Sequence, residues 1–113
     1  MFLRRKAKLN LIDNYIGIYR ILYNCKTLLC KARQHHNVQA IENLCDKTLD
    51  LKAKYENTFK KLRMYNSSFL CLKAELDSCK DISQYFTPTP INELELSLAN
   101  IEADIDKLNL NLT

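Results

Sequence analysis

Five side chains that could bind a metal ion lie close together along the chain: Cys25, Cys30, His35, His36 and Cys45. The close pairs typical of structural zinc sites, C-x2-C and H-x3-H, are missing from the sequence. On a helix, Cys25 and Cys30 would also face different sides. We therefore expect no metal and no cofactor, with the cysteines packing as small apolar residues. A zinc site that joins two helices across a turn is the alternative.

Catalysis would need a nucleophile beside a base, or two carboxyl groups on one site. Neither arrangement is supported by the spacing of the titratable residues, and the two histidines have no recognisable third partner. The chain also has a single glycine, which argues against phosphate-binding and dinucleotide-binding loops. We expect the protein not to be an enzyme and to have no small-molecule substrate.

Basic residues are concentrated at the amino terminus, in Arg4, Arg5, Lys6 and Lys8. Residues 1–36 hold eight basic groups and one acid, whereas residues 88–113 hold five acids and one lysine. The basic cluster could bind an anionic lipid surface or nucleic acid. We expect instead that Glu102, Asp104 and Asp106 neutralise it within the chain, because blocks of charge are common on solvated helices. The net charge of +4 is too small for strong nucleic-acid binding on its own.

Tyr15, Tyr19 and Tyr23 recur every fourth residue, with Arg20 among them. Aromatic rings interleaved with basic groups can stack on single-stranded nucleic acid. Tyrosine at a helix interface more often buries its ring and keeps its hydroxyl in water. We favour this packing role for the three residues.

Apolar residues in alternating steps of three and four predict long helices for nearly the whole chain. The first helix covers about residues 3–34 and the second about 38–80, which would make the second a rod roughly 65 Å long. The second helix carries an unbroken apolar stripe: Ile41, Leu44, Thr48, Leu51, Tyr55, Thr58, Leu62, Tyr65, Phe69, Leu72, Leu76 and Cys79. Gly17 lies inside the first helix, where it either marks a close helix crossing or is merely tolerated, and we favour the second interpretation.

Residues 83–90 predict a hinge, because Thr87, Pro88, Thr89 and Pro90 cannot continue a helix. Thr89 is the predicted N-cap of a third helix over about residues 90–112, with Pro90 as its first residue. These patterns predict an all-α protein with one domain, residues 1–113. The expected architecture is a long antiparallel helical hairpin, similar to a coiled coil, with the third helix packing back on one end as a three-helix bundle.

The expected hairpin leaves one end without a third helix. A tight turn at residues 35–37 would place each residue of the first helix opposite a defined residue of the second. By the same logic, the third helix would return along residues 58–79. Four apolar residues at the other end would then lack a third neighbour and are our candidate partner-binding residues: Tyr23, Leu28, Leu44 and Leu49.

We predict a non-enzymatic coiled-coil subunit, scaffold or adaptor that binds other helical proteins through apolar seams, as a hetero- or homo-oligomer. One alternative is a small helical chaperone that holds an amphipathic segment of a client protein, with the third helix as a removable cover. A second alternative is a peripheral membrane-binding or nucleic-acid-binding protein that uses the basic amino terminus. The odd number of cysteines and the lack of a clean apolar signal segment favour the cytoplasm, with the nucleus possible. No residue motif assigns the chain to a family.

Overall fold

A computed structural model describes residues 5–32, 38–78 and 88–112 of the chain. These residues form four α-helices: α1 (Arg5–Ala32), α2 (Val38–Lys61), α3 (Ser67–Ser78) and α4 (Ile91–Leu112). The prediction of an all-α protein is confirmed. The prediction of three helices is wrong, because the second predicted helix is divided into α2 and α3. None of the described helices is both long and apolar enough to cross a membrane.

The end of α2 is a Schellman motif with arginine where glycine is usual. Arg63 adopts a left-handed φ of 55°. Its N–H donates to the carbonyl oxygen of Lys60 at 3.1 Å, and the N–H of Met64 donates to that of Phe59 at 2.9 Å. Phe59 and Met64 are both buried, as the apolar contact of this motif requires. Their burial offsets the cost of about 1–2 kcal/mol for a left-handed residue with a side chain.

Asn66 starts the next helix, because its Oδ1 accepts a hydrogen bond of 3.0 Å from the backbone N–H of Phe69. This is the geometry of an N-cap. The predicted rod over residues 38–80 is therefore wrong, and the longest dimension of the molecule is 49 Å. The apolar stripe gives no sign of the turn between α2 and α3, because Leu62, Tyr65 and Phe69 keep the helical spacing across it.

Contacts between α1 and α2 show that the two helices run antiparallel. The side-chain amide of Asn14 donates to the hydroxyl of Tyr55 at 3.0 Å, and the hydroxyl of Tyr15 donates to Glu56 at 2.9 Å. One turn further along α1, the ring centroid of Tyr19 lies 5.0 Å from the ammonium of Lys52, which comes one turn earlier on α2. These two helices are the central pair of the fold.

Helix α3 folds back along one side of the central pair. The ring of Phe69 lies 4.8 Å from that of Phe59, near the end of α2. Two turns later, Asp77 accepts a hydrogen bond from the hydroxyl of Tyr19 and lies 3.9 Å from the ammonium of Lys52. Helix α3 therefore runs antiparallel to α2 and returns the chain towards the other end of the molecule.

Helix α4 packs against α1 and α2 and runs parallel to α2. Lys54 pairs with Asp106 at 2.7 Å, and the hydroxyl of Thr58 donates to Asn109 at 3.2 Å. The prediction that this helix returns along residues 58–79 is wrong. Because α3 has already reversed the chain, α4 begins at the opposite end, where the backbone N–H of Thr89 donates to the side chain of Asn24 at 2.8 Å.

Gly17 marks a close crossing of α1 and α4. A Cβ atom built on this residue would lie 3.2 Å from Cδ1 of Ile101. Cδ1 is the far end of a flexible side chain and would have to shift by a few tenths of an ångström to admit alanine, so the expectation that glycine is merely tolerated here stays a prediction. All four helices contribute buried residues to one core, which includes Ile18, Tyr55, Phe69 and Ile105.

Candidate functional site

Helix α4 has two apolar faces. The inner face is the predicted stripe, and its residues Leu94, Leu98, Ile101 and Ile105 are buried. The outer face follows the same alternation of three and four residues through Leu96, Ala99, Ala103, Asp106 and Leu110, all of them exposed. Leu96 is 64% exposed and Leu110 is 76% exposed. We call Leu96, Ala99, Ala103 and Leu110 the outer seam.

One charged residue interrupts the outer seam. Asp106 occupies a position where the spacing calls for an apolar residue, and its carboxylate pairs with Lys54 at 2.7 Å. Neutralisation by Lys54 lowers the cost of bringing an apolar surface close to this position. The two alanines leave room for another helix to approach the backbone of α4. The outer seam thus has the spacing and the side-chain sizes that a helix–helix contact uses.

A groove of about 390 Å³ runs between α2 and α4, beside the outer seam. Ala99 contributes to both surfaces. The groove is lined by small, apolar and charged residues: Ala40, Asn43, Leu44, Lys47, Glu95, Leu98, Ala99 and Glu102.

Acidic residues flank the outer seam. Glu93, Glu95 and Glu102 are exposed, and they take part in none of the four ion pairs found among the described residues. Carboxylates that form no ion pair beside an apolar seam favour a partner that carries basic residues at the edges of its own seam.

The four predicted partner-binding residues lie in different environments. Leu44 is 3% exposed and lines the groove together with Leu98 and Ala99, so the prediction that it lacks a third neighbour is wrong. Tyr23 and Leu28 are half-buried against the core, whereas Leu49 is 48% exposed. Helix α4 covers the part of the pair that was expected to stay open. Binding of a partner by these residues stays a prediction.

Basic residues from three helices meet at one end of the molecule. Arg5, Lys6 and Lys8 are exposed at the start of α1. Because α1 and α2 are antiparallel, Lys60, Lys61 and Arg63 lie at the same end and are also exposed. Lys107 of α4 lines a cleft with Ala7 and Leu11 of α1, which places it there as well. We call these seven residues the basic end. The sequence already carried this signal, since an antiparallel pairing brings the end of α2 beside the start of α1.

Two of the three acids that were expected to neutralise the amino-terminal cluster bind other groups. Asp104 accepts a hydrogen bond of 3.1 Å from Asn14, and Asp106 pairs with Lys54. Within residues 5–32, 38–78 and 88–112, Arg5, Lys6 and Lys8 are in none of the ion pairs. These three residues form no direct ion pair with those acids in the described part of the chain, and neutralisation over a longer distance stays a prediction. Arg4 lies outside the described residues.

Two tyrosines form a polar cluster where α3 meets the central pair. Tyr15 and Tyr19 are buried, and the hydroxyl of Tyr19 donates to Asp77 at 2.5 Å. Burial raises the pKa of both phenols above the ordinary range. The hydrogen bonds of Tyr15 with Tyr19 and Glu56, and that of Tyr19 with Asp77, raise it further. The rings are packed in the core, which is the role we favoured over stacking on a nucleic acid. The cluster holds α3 in place.

The cysteines are distributed over different environments. Cys25 is buried, Cys45 is half-buried, and Cys30 is exposed. Burial, with a smaller effect of the neighbouring Cys45, raises the pKa of the Cys25 thiol to about 11. A thiol with such a pKa is a poor nucleophile at neutral pH. No group of three potential metal ligands forms among the described residues, and His35 and His36 lie outside them.

Two surfaces thus have features that the stability of the fold does not require, namely the outer seam and the basic end. The outer seam exposes leucine in a regular helical pattern, and the basic end gathers like charges without ion pairs among the described residues. Comparison of the chain with protein-family models, with curated proteins and with solved structures gives no match.

Proposed function

We propose that this protein is a non-enzymatic interaction subunit that binds an amphipathic helix of another protein along the outer seam of α4. The observation that carries the proposal is the exposure of Leu96, which is 64% exposed at the amino-terminal end of the outer seam. A single exposed leucine is ordinary, but a stripe with helical spacing is the pattern of a helix–helix interface. The outer seam would form one side of a coiled-coil-like contact.

The charges beside the outer seam define the chemistry of the partner. Glu95 and Glu102 line the groove on the α2 side of the seam. A partner helix with lysine or arginine flanking its apolar stripe would be steered towards these carboxylates. Its apolar residues would pack around Ala99 and Ala103, where the backbone of α4 is most accessible. This complementarity favours a basic amphipathic helix over a second copy of the acidic α4.

The chaperone alternative requires α4 to leave the central pair. Four of its residues belong to the core, and two of them, Leu94 and Ile105, are at most 1% exposed. The start of α4 is also tied to α1, because Arg20 donates to the Thr89 hydroxyl at 3.0 Å and Asn24 accepts from the Thr89 backbone. Removing α4 would expose this core. The contacts therefore favour a fixed α4 that presents its outer face.

The test compares the tagged full chain with a Leu96→Asp variant after gentle purification from the native cells. A charge at this exposed position should leave the fold intact and prevent the seam from packing on an apolar surface. Leu70→Asp on α3 is the matched control, since Leu70 is 48% exposed and lies on another helix. Circular dichroism and a thermal melt confirm that both variants are folded.

We expect a helical partner at fixed stoichiometry with the unmodified chain and with Leu70→Asp, and its loss with Leu96→Asp. A synthetic peptide of the partner helix should then bind the purified chain and not the Leu96→Asp variant. Retention of the partner by Leu96→Asp would refute the outer seam as the binding surface. Self-association that depends on Leu96 would show that a second copy occupies the seam.

A further inference from the structure

The basic end has an excess of basic residues that plays no part in the proposed binding of a helix by the outer seam. In residues 5–13, 58–67 and 104–112, which meet at this end, seven basic residues face three acids, Asp13, Asp104 and Asp106. Asp106 is already paired with Lys54. Six of the seven basic residues come from the first turns of α1 and the last turn of α2 and its cap, which are far apart in the sequence.

Apolar side chains lie among these charges. Leu9 is 51% exposed on α1, beside Lys6 and Lys8, and Leu110 is exposed near the end of α4. Leucine inserts readily into the boundary between lipid headgroups and acyl chains, while lysine and arginine stay at the headgroups. Proteins that bind single-stranded nucleic acid rely instead on exposed aromatic rings and a charged groove. At this end, the aromatic Phe59 and Phe69 are buried and Tyr65 is half-buried.

We infer that the basic end docks the protein on an anionic lipid surface, with Leu9 entering the interface and the lysines contacting acidic headgroups. The bundle would then stand on the membrane by one end. Leu96, Ala99 and Ala103 of the outer seam would stay accessible along the side of the bundle. The protein could thereby present a bound partner helix at a membrane surface. This inference does not depend on whether the outer seam binds a partner.

The strength of such docking follows from the number of charges. Each lysine or arginine near an anionic membrane contributes on the order of 1 kcal/mol, which corresponds to roughly fivefold in affinity. The attraction falls with ionic strength, because salt screens it. Docking by four lysines and one leucine is weak and reversible. An acidic surface and low salt are therefore needed to observe it.

The experiment is co-sedimentation of the full chain with vesicles made of equal parts phosphatidylcholine and phosphatidylserine, beside vesicles of phosphatidylcholine alone. Two double variants measure the contributions of the two helices separately. One combines Lys6→Gln with Lys8→Gln on α1, and the other combines Lys60→Gln with Lys61→Gln on α2. The matched control is Lys26→Gln with Lys31→Gln, which removes two exposed lysines at the other end of α1. A Leu9→Ser variant tests the apolar contribution.

We expect binding to the acidic vesicles only, weakened by salt, and roughly 25-fold weaker for each of the two double variants at the basic end. The control should bind as the unmodified chain does. Leu9→Ser should weaken binding several-fold. Equal binding to neutral vesicles, or an equal loss with the control, would overturn the inference.

A nucleic acid is the competing ligand, and the same variants distinguish it. Fluorescence anisotropy with a labelled single-stranded oligonucleotide measures this binding directly. Tight oligonucleotide binding that resists Leu9→Ser, combined with no vesicle binding, would replace the lipid surface with nucleic acid. Absence of binding to both ligands at low salt would also reject the inference, since the basic end would then be only a solvated surface.

Discussion

The hydroxyl of Tyr55 donates a hydrogen bond of 2.9 Å to the backbone carbonyl oxygen of Ile101, in the middle of α4. The same hydroxyl accepts a hydrogen bond of 3.0 Å from Asn14, whose amide also donates to Asp104. One buried phenol thus connects α1, α2 and α4 at the level where the three helices meet. The bond fixes both the depth and the axial position of α4, and hence the direction in which the outer seam faces.

Replacing Tyr55 with phenylalanine removes this connection and keeps the ring. We expect the free energy of unfolding to fall by about 1–2 kcal/mol, because Asn14 loses an acceptor in a partly buried site. Chemical denaturation monitored by circular dichroism measures the change. Tyr65→Phe is a suitable control, since Tyr65 is half-buried. An unchanged stability for Tyr55→Phe would show that the hydrogen bond does not hold α4.

Gly17→Ala tests the close crossing of α1 and α4. Alanine favours a helix over glycine by about 1 kcal/mol, but its Cβ would contact Cδ1 of Ile101 at 3.2 Å. Ile101→Val removes that carbon atom. We therefore expect Gly17→Ala to gain less stability in the unmodified chain than in the Ile101→Val background, in a double-mutant cycle measured by denaturation. Equal gains in the two backgrounds would mean that the crossing is not tight.

Leu44→Asp and Leu49→Asp compare the effect of a charge on stability at a buried and at an exposed position among the predicted partner-binding residues. Leu44 is 3% exposed, so a carboxylate there should destabilise the fold by more than about 3 kcal/mol. Leu49 is 48% exposed, and the same change should cost less than about 1 kcal/mol. Thermal melts of the two variants test this difference. Similar melting temperatures would contradict the position of α4 over Leu44.

The helical nature of the chain could be predicted because its apolar residues follow helical spacing almost throughout. The end of α2 could not be predicted in the same way. Arg63 adopts the left-handed conformation that glycine usually supplies, so the ordinary stop signal is missing from the sequence. Asn66 was a readable N-cap signal, but it lies inside a stripe that continues without a phase change. The end of α2 is instead determined by the burial of Phe59 and Met64 in the core, which sequence spacing alone does not reveal.

The candidate surfaces depended on that turn. Once the chain reverses after Lys61, α4 lies over Leu44 and not beside residues 58–79, which changes the surface that stays open. The outer seam could have been read from Leu96, Ala99 and Ala103, but two alanines and Asp106 make a weaker pattern than the inner stripe. The basic cluster at the amino terminus could be predicted from the sequence alone. Its continuation in Lys60 and Lys61 required the pairing of α1 with α2.

Arg63→Gly tests the cost of the turn between α2 and α3. Glycine adopts a φ of 55° without steric strain, so the substitution should raise the free energy of unfolding by up to about 1 kcal/mol. Arg63→Val should lower it, because a β-branched residue is most strained in this conformation. Urea denaturation of the two variants gives both values. A loss of stability with glycine would indicate that the arginine side chain contributes more than its strain costs.

Asp77 makes the docking of α3 dependent on pH. Desolvation alone would raise the pKa of its carboxyl, but the hydrogen bonds from Tyr19 and Lys73 and the nearby lysine charges outweigh it and lower the pKa. A lowered folded-state pKa contributes stability above the ordinary value of 3.8, and this contribution is lost as the pH falls through the folded-state pKa. The carboxylate is 45% exposed, so the contribution should be below about 1 kcal/mol.

Asp77→Asn should therefore lower the stability at neutral pH and remove this part of the acid sensitivity. The difference in unfolding free energy between the unmodified chain and Asp77→Asn should be largest at neutral pH and vanish in strong acid. Asp50→Asn is the matched control, because Asp50 is exposed on α2 and takes part in none of the ion pairs among the described residues. A difference that persists in acid would show that Asp77 stabilises α3 by packing and not by its charge.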